Sequence, residues 1–251
     1  MTSEMFDQSP YRCRLEWGRR GAREAAARGD AVVIVDVLRF STTVATAIHR
    51  GAIIYPCADD AAGEELARRV GAELAVSSRG AQTAGAFSLS PRSFDRVGAG
   101  TKVVLPSANG SLCASVAPGS ARLFAGALVN ATAVAEAAGR LVDETDLCVT
   151  VVPCGERWAA PWDGEGLRFA VEDYLGAGAI IAGISCEKSP EARACEAAFA
   201  GLRSSLCEVL LECASGRELR LWGLEADVLD AARLDVFAAV PVMLGECFVR
   251  G

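Results

Sequence analysis

Short apolar runs rich in β-branched residues alternate along the chain with segments whose apolar positions recur at helical spacing. The pattern is densest at Ala31–Val35 (AVVIV), which predicts a strand buried on both faces. Val44, Ala45 and Ile48 then predict a helix, with Ser41, Thr42 and Thr43 as capping residues at its start. The same reading predicts strands over 11–17, 53–55, 73–76, 102–105, 123–128 and 147–152. It predicts helices from Gly18 to about Arg28, over 58–70, after Ser111, from Asn130 through Leu141, and from about Leu167 to Ile184. Residues 77–91 form a long polar loop, and 158–166 a loop of Trp, Pro and Gly.

The last sixty residues read as helical pieces over 191–202, 205–213, 218–222 and 225–234, with Ser215-Gly216 as a stop. An extended apolar stretch over 236–244 follows, and packing is the expected role of this whole tail. The alternation predicts an α/β fold with three layers and a largely parallel or mixed sheet. A single domain over 1–251 accommodates it. Two subdomains, about 1–100 and 101–251 with the site between the lobes, are compatible with the same pattern.

Composition narrows the chemistry. A net charge of −7 disfavours a general nucleic-acid partner, which asks for a basic surface. No apolar run approaches the roughly 18 residues that cross a bilayer, and the first residues lack the basic-then-apolar pattern of a secretory signal. A cytoplasmic protein is the expectation. Ten scattered cysteines without a Cys-x-x-Cys pair predict buried free thiols rather than a zinc site or disulfides. Cys13 and Arg19 match the Cys-x5-Arg spacing of cysteine phosphatases, but Glu16 and Trp17 stand where that chemistry needs a loop of small residues. The single histidine, His49, sits where a helix should end, as a solvated C-terminal cation. Histidine-based catalysis is therefore disfavoured, and Asp, Glu, Arg, Ser, Thr, Asn and Cys remain.

Ligands in open α/β sheets bind beyond the carboxyl ends of strands. Four strand–polar loop–helix units offer such ends: Asp36 and Arg39 after the first, then Pro106-Ser107-Ala108-Asn109-Gly110-Ser111, then Asn130, then Pro153-Cys154-Gly155-Glu156-Arg157. Asp36 and Arg39 are compatible with a ligand site or with pairing to each other. Arg79, the only charge in its loop, either meets an anion or is solvated. Glu172 and Asp173 are adjacent on an apolar helix, so they point about 100° apart and need a partner there, a metal or an arginine.

These motifs, in this order, resemble the 2-phosphosulfolactate phosphatase family. The resemblance runs from Leu15-Glu16-Trp17-Gly18 to Val240-Pro241. It is carried by Val35-Asp36-Val37-Leu38-Arg39 with Ser41-Thr42-Thr43, by Asn109-Gly110-Ser111, by Leu128-Val129-Asn130-Ala131, and by Cys154-Gly155. Glu172-Asp173 with Gly176-Ala177-Gly178, and Asp227-Val228, complete it. The family is magnesium-dependent and associated with coenzyme M biosynthesis. The chain departs from it at Ser77-Ser78-Arg79, where Gly-Glu-Arg is usual, and at Leu89-Ser90-Pro91, where Asn-Ser-Pro is usual.

The resemblance implies hydrolysis of a small anionic phosphorylated substrate with Mg²⁺. It assigns Asp36, Glu172 and Asp173 to the metal, and Arg39 and Arg79 to phosphate or sulfonate oxygens. Ser41, Thr42, Gly110 and Ser111 join the anion cradle, Asn109 and Asn130 orient substrate, and Cys154 is a wall thiol or a nucleophile. A phosphatase for another small phosphorylated acid and a non-catalytic anion binder are the competing readings. The helix-rich tail permits a homodimer.

Overall fold

The computed structural model describes residues 6–76, 86–117, 119–158 and 166–251. In chain order the elements are β1 (Cys13–Leu15), α1 (Gly18–Ala27), β2 (Ala31–Val35), α2 (Phe40–His49), β3 (Ile53–Cys57), α3 (Asp60–Val70) and β4 (Glu73–Leu74). Next come β5 (Lys102–Pro106), α4 (Gly110–Ser115), β6 (Arg122–Gly126), α5 (Ala131–Glu144), β7 (Val149–Pro153), β8 (Glu156–Arg157), β9 (Leu167–Arg168) and α6 (Val171–Ala182). The C-terminal part holds α7 (Pro190–Leu202), α8 (Leu206–Glu212), α9 (Ala214–Leu221), α10 (Glu225–Ala231), β10 (Pro241–Leu244) and β11 (Cys247–Arg250).

Nine strands form one mixed sheet in the order β1-β7-β2-β6-β10-β11-β3-β5-β4, so the fold is α/β as predicted. Within β1-β7-β2-β6 and within β3-β5-β4 all pairing is parallel, and the antiparallel hairpin β10–β11 joins the two blocks. Strands from either side of residue 100 are interleaved in this sheet. β2 is its pivot, and every residue of it is fully buried. Ala31, Val33 and Val35 face one core with α5, α6 and α7, while Val32 and Ile34 face another with α1, α2 and α4. That two-sided burial explains why β2 reads as an unbroken apolar run.

Three antiparallel pairings separate β2 from β3 and β5. Even so, Val32 and Ile34 share one core with Ile54, Val103, Leu105 and Phe248. The sheet therefore curls, its strand twist accumulating until the loops beyond β2 and β5 meet.

Several boundaries differ from the sequence reading. The helix expected from Leu167 begins at Val171, because Leu167–Arg168 pairs with Glu156–Arg157 in a two-stranded ribbon. Phe169 is consequently exposed rather than part of an apolar helix face. Ser215-Gly216 does not stop a helix but lies in the first turn of α9. The stretch over 236–244 is extended only as β10, and a further strand, β11, follows it. The expected helix over 58–70 forms with Asp59 as its cap, the carboxylate accepting the Ala62 N–H at 2.9 Å. His49 ends α2 as expected, stacked 4.5 Å from the Phe237 ring. Among the described residues no helix is long and apolar enough to cross a membrane.

Candidate active site

Asp36 stands one residue beyond β2, and its carboxylate joins two strand ends. Oδ1 accepts the Phe40 N–H at 3.1 Å, from the first residue of α2, and Oδ2 accepts the Gly110 N–H at 2.9 Å, beyond β5. A Cβ at position 110 would collide with the Phe40 ring and lie 2.8 Å from Asp36 Oδ2, so only glycine lets the two loops approach this closely. Burial pushes the Asp36 carboxyl up to about 7. The two N–H donors oppose that rise, while the charges of Glu156 and Glu172 add to it.

Arg39 precedes α2, and the peptide joining it to Leu38 is cis. It does not pair with Asp36. Its Nη1 instead donates to Asp227 Oδ2 at 2.5 Å, both side chains being buried. Ser90 Oγ donates to the other Asp227 oxygen at 2.7 Å. The tail expected to serve packing alone thus supplies the carboxylate that orients the site's arginine. It also supplies Ser215, Glu218 and Trp222 to the cleft wall.

The cleft has a volume of about 490 Å³. Asp36, Arg39, Asn109, Glu156, Arg157 and Arg168 bring charge and amide chemistry to it, and Leu89 is among its apolar residues. Asn109 Nδ2 donates to Glu156 Oε1 at 3.0 Å. The Arg168 guanidinium lies over the Trp158 ring, 5.3 Å from its centroid. Three guanidiniums, Arg39, Arg157 and Arg168, stand with three carboxylates, Asp36, Glu156 and Glu218, so the cleft sets donors for an anion beside acceptors for a cation without a net charge of its own.

Several predicted site residues lie off this cleft, with their polar atoms engaged elsewhere. Ser41 Oγ accepts the Asp36 N–H at 3.0 Å, Thr42 Oγ1 donates to the Val37 carbonyl at 2.8 Å, and Ser111 Oγ donates to the Leu105 carbonyl at 3.1 Å. The Phe40 and Gly110 N–H groups, expected in an anion cradle with these hydroxyls, donate to Asp36. Asn130 is fully buried. Its Oδ1 accepts the Ala127 N–H at 2.9 Å and its Nδ2 donates to the Ala239 carbonyl at 3.1 Å, which makes it a brace between segments.

Asp173 is a brace as well. Its oxygens accept the Val37 N–H at 2.7 Å and the Gly155 N–H at 3.0 Å, tying the loop after β2 to the loop after β7. Burial first, then the Asp36 and Glu172 charges, hold its carboxyl well above the usual range. Gly155 has φ +70°, a conformation that favours glycine, and a Cβ there would lie 2.7 Å from Leu167. Glu172 lies beside the Cys213 thiol, which burial and the Glu172 charge push up to about 12. The Glu172 charge acts on both Asp36 and Asp173, yet of the three carboxylates only Asp36 lines the cleft.

Cys154 is 3 % exposed, and burial, the Cys113 thiol and nearby carboxylates raise its thiol well above 9. A thiolate there is disfavoured at neutral pH, which fits a wall and not a nucleophile. Arg79 lies outside the described residues. Sequence reasoning missed Glu156, Arg157 and Arg168 as cleft residues. A signal existed for the first two, since they directly follow Cys154-Gly155 at a strand end.

Among the described residues no three His, Cys, Asp or Glu side chains converge to hold a metal. Three carboxylates, Asp36, Glu156 and Glu218, do line the cleft, and the Glu156 charge is near enough to act on Asp36. That donor set fits magnesium, which binds through one or two carboxylates and completes its shell with water and phosphate oxygens.

The family model for 2-phosphosulpholactate phosphatase matches residues 20–246. The chain is 32 % identical to a Carboxydothermus hydrogenoformans protein named "Probable 2-phosphosulfolactate phosphatase", covering 86 % of this chain and 87 % of that one. It is 30 % identical to the Methanothermobacter thermautotrophicus protein named "2-phosphosulfolactate phosphatase", covering 84 % and 85 %. A Parasynechococcus marenigrum protein of the same "Probable" name is 33 % identical over 63 % of each chain. With the family model spanning seven of the nine sheet strands and every residue that lines the cleft, the chain belongs to the 2-phosphosulfolactate phosphatase family, a family of phosphoric monoester hydrolases.

Proposed function

We propose that the chain hydrolyses the phosphate monoester of 2-phospho-3-sulfolactate to 3-sulfolactate and inorganic phosphate, with Mg²⁺. The observation that carries the reading is the placement of Arg39, Arg157 and Arg168 around a cleft that also holds Asp36 and Glu156, in a member of this family. The substrate carries phosphate, carboxylate and sulfonate groups, and three guanidiniums offer planar donor pairs for such oxygens. Water adds to phosphorus, the ester P–O bond breaks, and the leaving alkoxide takes up a proton.

Asp36 and Glu156 would hold the cation. When bound it would neutralise charge on the phosphoryl oxygens. Phosphoryl transfer depends mainly on positioning and charge neutralisation, and phosphate monoester hydrolysis asks for accelerations up to about 10²¹-fold. Helix ends and arginines at about 1 kcal/mol or a little more each fall well short of that, which is why a divalent ion belongs in the account. Asn109 fixes the Glu156 carboxylate through its amide. All ten cysteines are free thiols, which suits a reducing, cytoplasmic setting.

A second reading, a phosphatase for a different small phosphorylated acid, draws on Leu89. An apolar side chain lines the cleft where the family usually has an amide. Phosphate release measured over a panel of small phosphomonoesters, with and without chelator, tests both. The expected result is release from 2-phospho-3-sulfolactate, lost with chelator and restored by Mg²⁺. Release from another ester alone would move the assignment to that substrate, and release unaffected by chelator would remove the metal.

A further inference from the structure

A second cavity, about 280 Å³, lies behind the cleft wall. Arg19, Arg20 and Arg23 of α1 line one side of it and Arg157 of β8 another, with Asn109 and Cys154 among the remaining walls. No described carboxylate lines it, in a chain of net charge −7. Arg23 touches Glu24 at 3.6 Å, but both side chains are more than half exposed, and such a pair is weak.

The arrangement is costly when nothing is bound. Arg19 and Arg23 are four residues apart on one helix face, where like charges repel. Arg19 and Arg20 also lie in the first turn of α1, the end where the helix dipole disfavours cations, and no acid stands in that turn to offset them. Repulsion without a compensating acid, gathered round a cavity, is what a bound anion relieves.

We propose that this cavity is a second anion site, separate from the cleft, for a small polyanion of the phosphate or sulfonate class. The guanidiniums supply charge-assisted hydrogen bonds, and Leu112 and Leu167 offer apolar contact to a short carbon chain. Ala108, Asn109 and Arg157 line both cavities, and Asn109 donates to Glu156 on the cleft side. An occupant that touches Asn109 or Arg157 from behind therefore acts on the groups that shape the cleft.

Pyrophosphate is the probe. Hydrogen exchange is followed in the full chain at low ionic strength, in the wild type, in Arg19→Gln/Arg20→Gln/Arg23→Gln and in Arg39→Gln. The three exposed α1 substitutions relieve that repulsion, so the melting temperature without ligand should hold or rise slightly. The expected result is pyrophosphate-dependent protection of the first turns of α1 in the wild type and in Arg39→Gln. In the triple variant that protection should weaken about tenfold or more in pyrophosphate affinity, as the loss of even one charge-assisted hydrogen bond implies. Protection beyond Asp36 should persist there. Absence of α1 protection in the wild type overturns the proposal. So does loss of α1 protection in Arg39→Gln, which would make the two cavities one site.

Discussion

Replacing Asp36 by Asn should lower turnover by about three orders of magnitude or more, the scale of removing a group at the reacting centre. The carboxylate faces the cleft and is one of three that line it. The amide keeps the shape but loses the charge, and its NH₂ would meet the Gly110 N–H, a donor facing a donor. The variant should still fold, and its pH dependence carries a second signature.

Asp36 has its carboxyl raised from 3.8 to about 7. The folded chain therefore holds a proton that the unfolded chain releases between those values. In metal-free buffer this contribution is fully present below pH ~4 and is lost as pH rises through ~7. Three units correspond to at most about 4 kcal/mol. Asp36→Asn should lack this part of the slope, which urea melts of both proteins between pH 5 and pH 8 would read. Parallel slopes would mean that the carboxyl is not raised.

The second large effect is at Asp227. Removing it as Ala takes away the carboxylate that meets Arg39 in a buried setting, and it strands the Ser90 hydroxyl that donated to it. Breaking a buried pair from one side costs about 3–5 kcal/mol. For a chain of this size that is a fall of about 6–20 °C in melting temperature. Turnover should fall too, since Arg39 loses the group that aims it. The apolar double variant Arg39→Met/Asp227→Leu separates the two roles: stability should largely return while activity stays lost. Recovered activity in the double variant would show that Arg39 is not needed.

Much of the fold was legible because burial leaves a pattern. β2, β5 and β7 are short apolar runs with polar or charged residues just beyond their ends, and β2 and β5 lead directly into a helix. What could not be read is pairing between distant parts. The C-terminal hairpin sits between two parallel blocks, yet β11 offers four residues with little alternation. Arg39 and Asp227 are 188 residues apart, so nothing local joins them.

In the site, Asp36, Arg39 and Asn109 were visible as chemistry-bearing residues at strand ends. Ser41, Thr42, Ser111, Asn130 and Asp173 carry the same polar groups and sit in equally suggestive places. Their side chains turn to backbone partners, and residue type does not tell which way a lone pair points. Asp173 illustrates the limit. A buried acid on an apolar helix was expected to need a partner, and the partners are two amides, Val37 and Gly155.

The inactive Asp36→Asn chain offers the most direct test of where the phosphorylated ligand lies. It should be crystallised with 2-phospho-3-sulfolactate and Mg²⁺. The phosphoryl group is expected in the cleft, between position 36 and the Arg39 guanidinium, with the other anionic groups towards Arg157 and Arg168. A phosphoryl group seated away from Asp36 and Arg39 would contradict this placement.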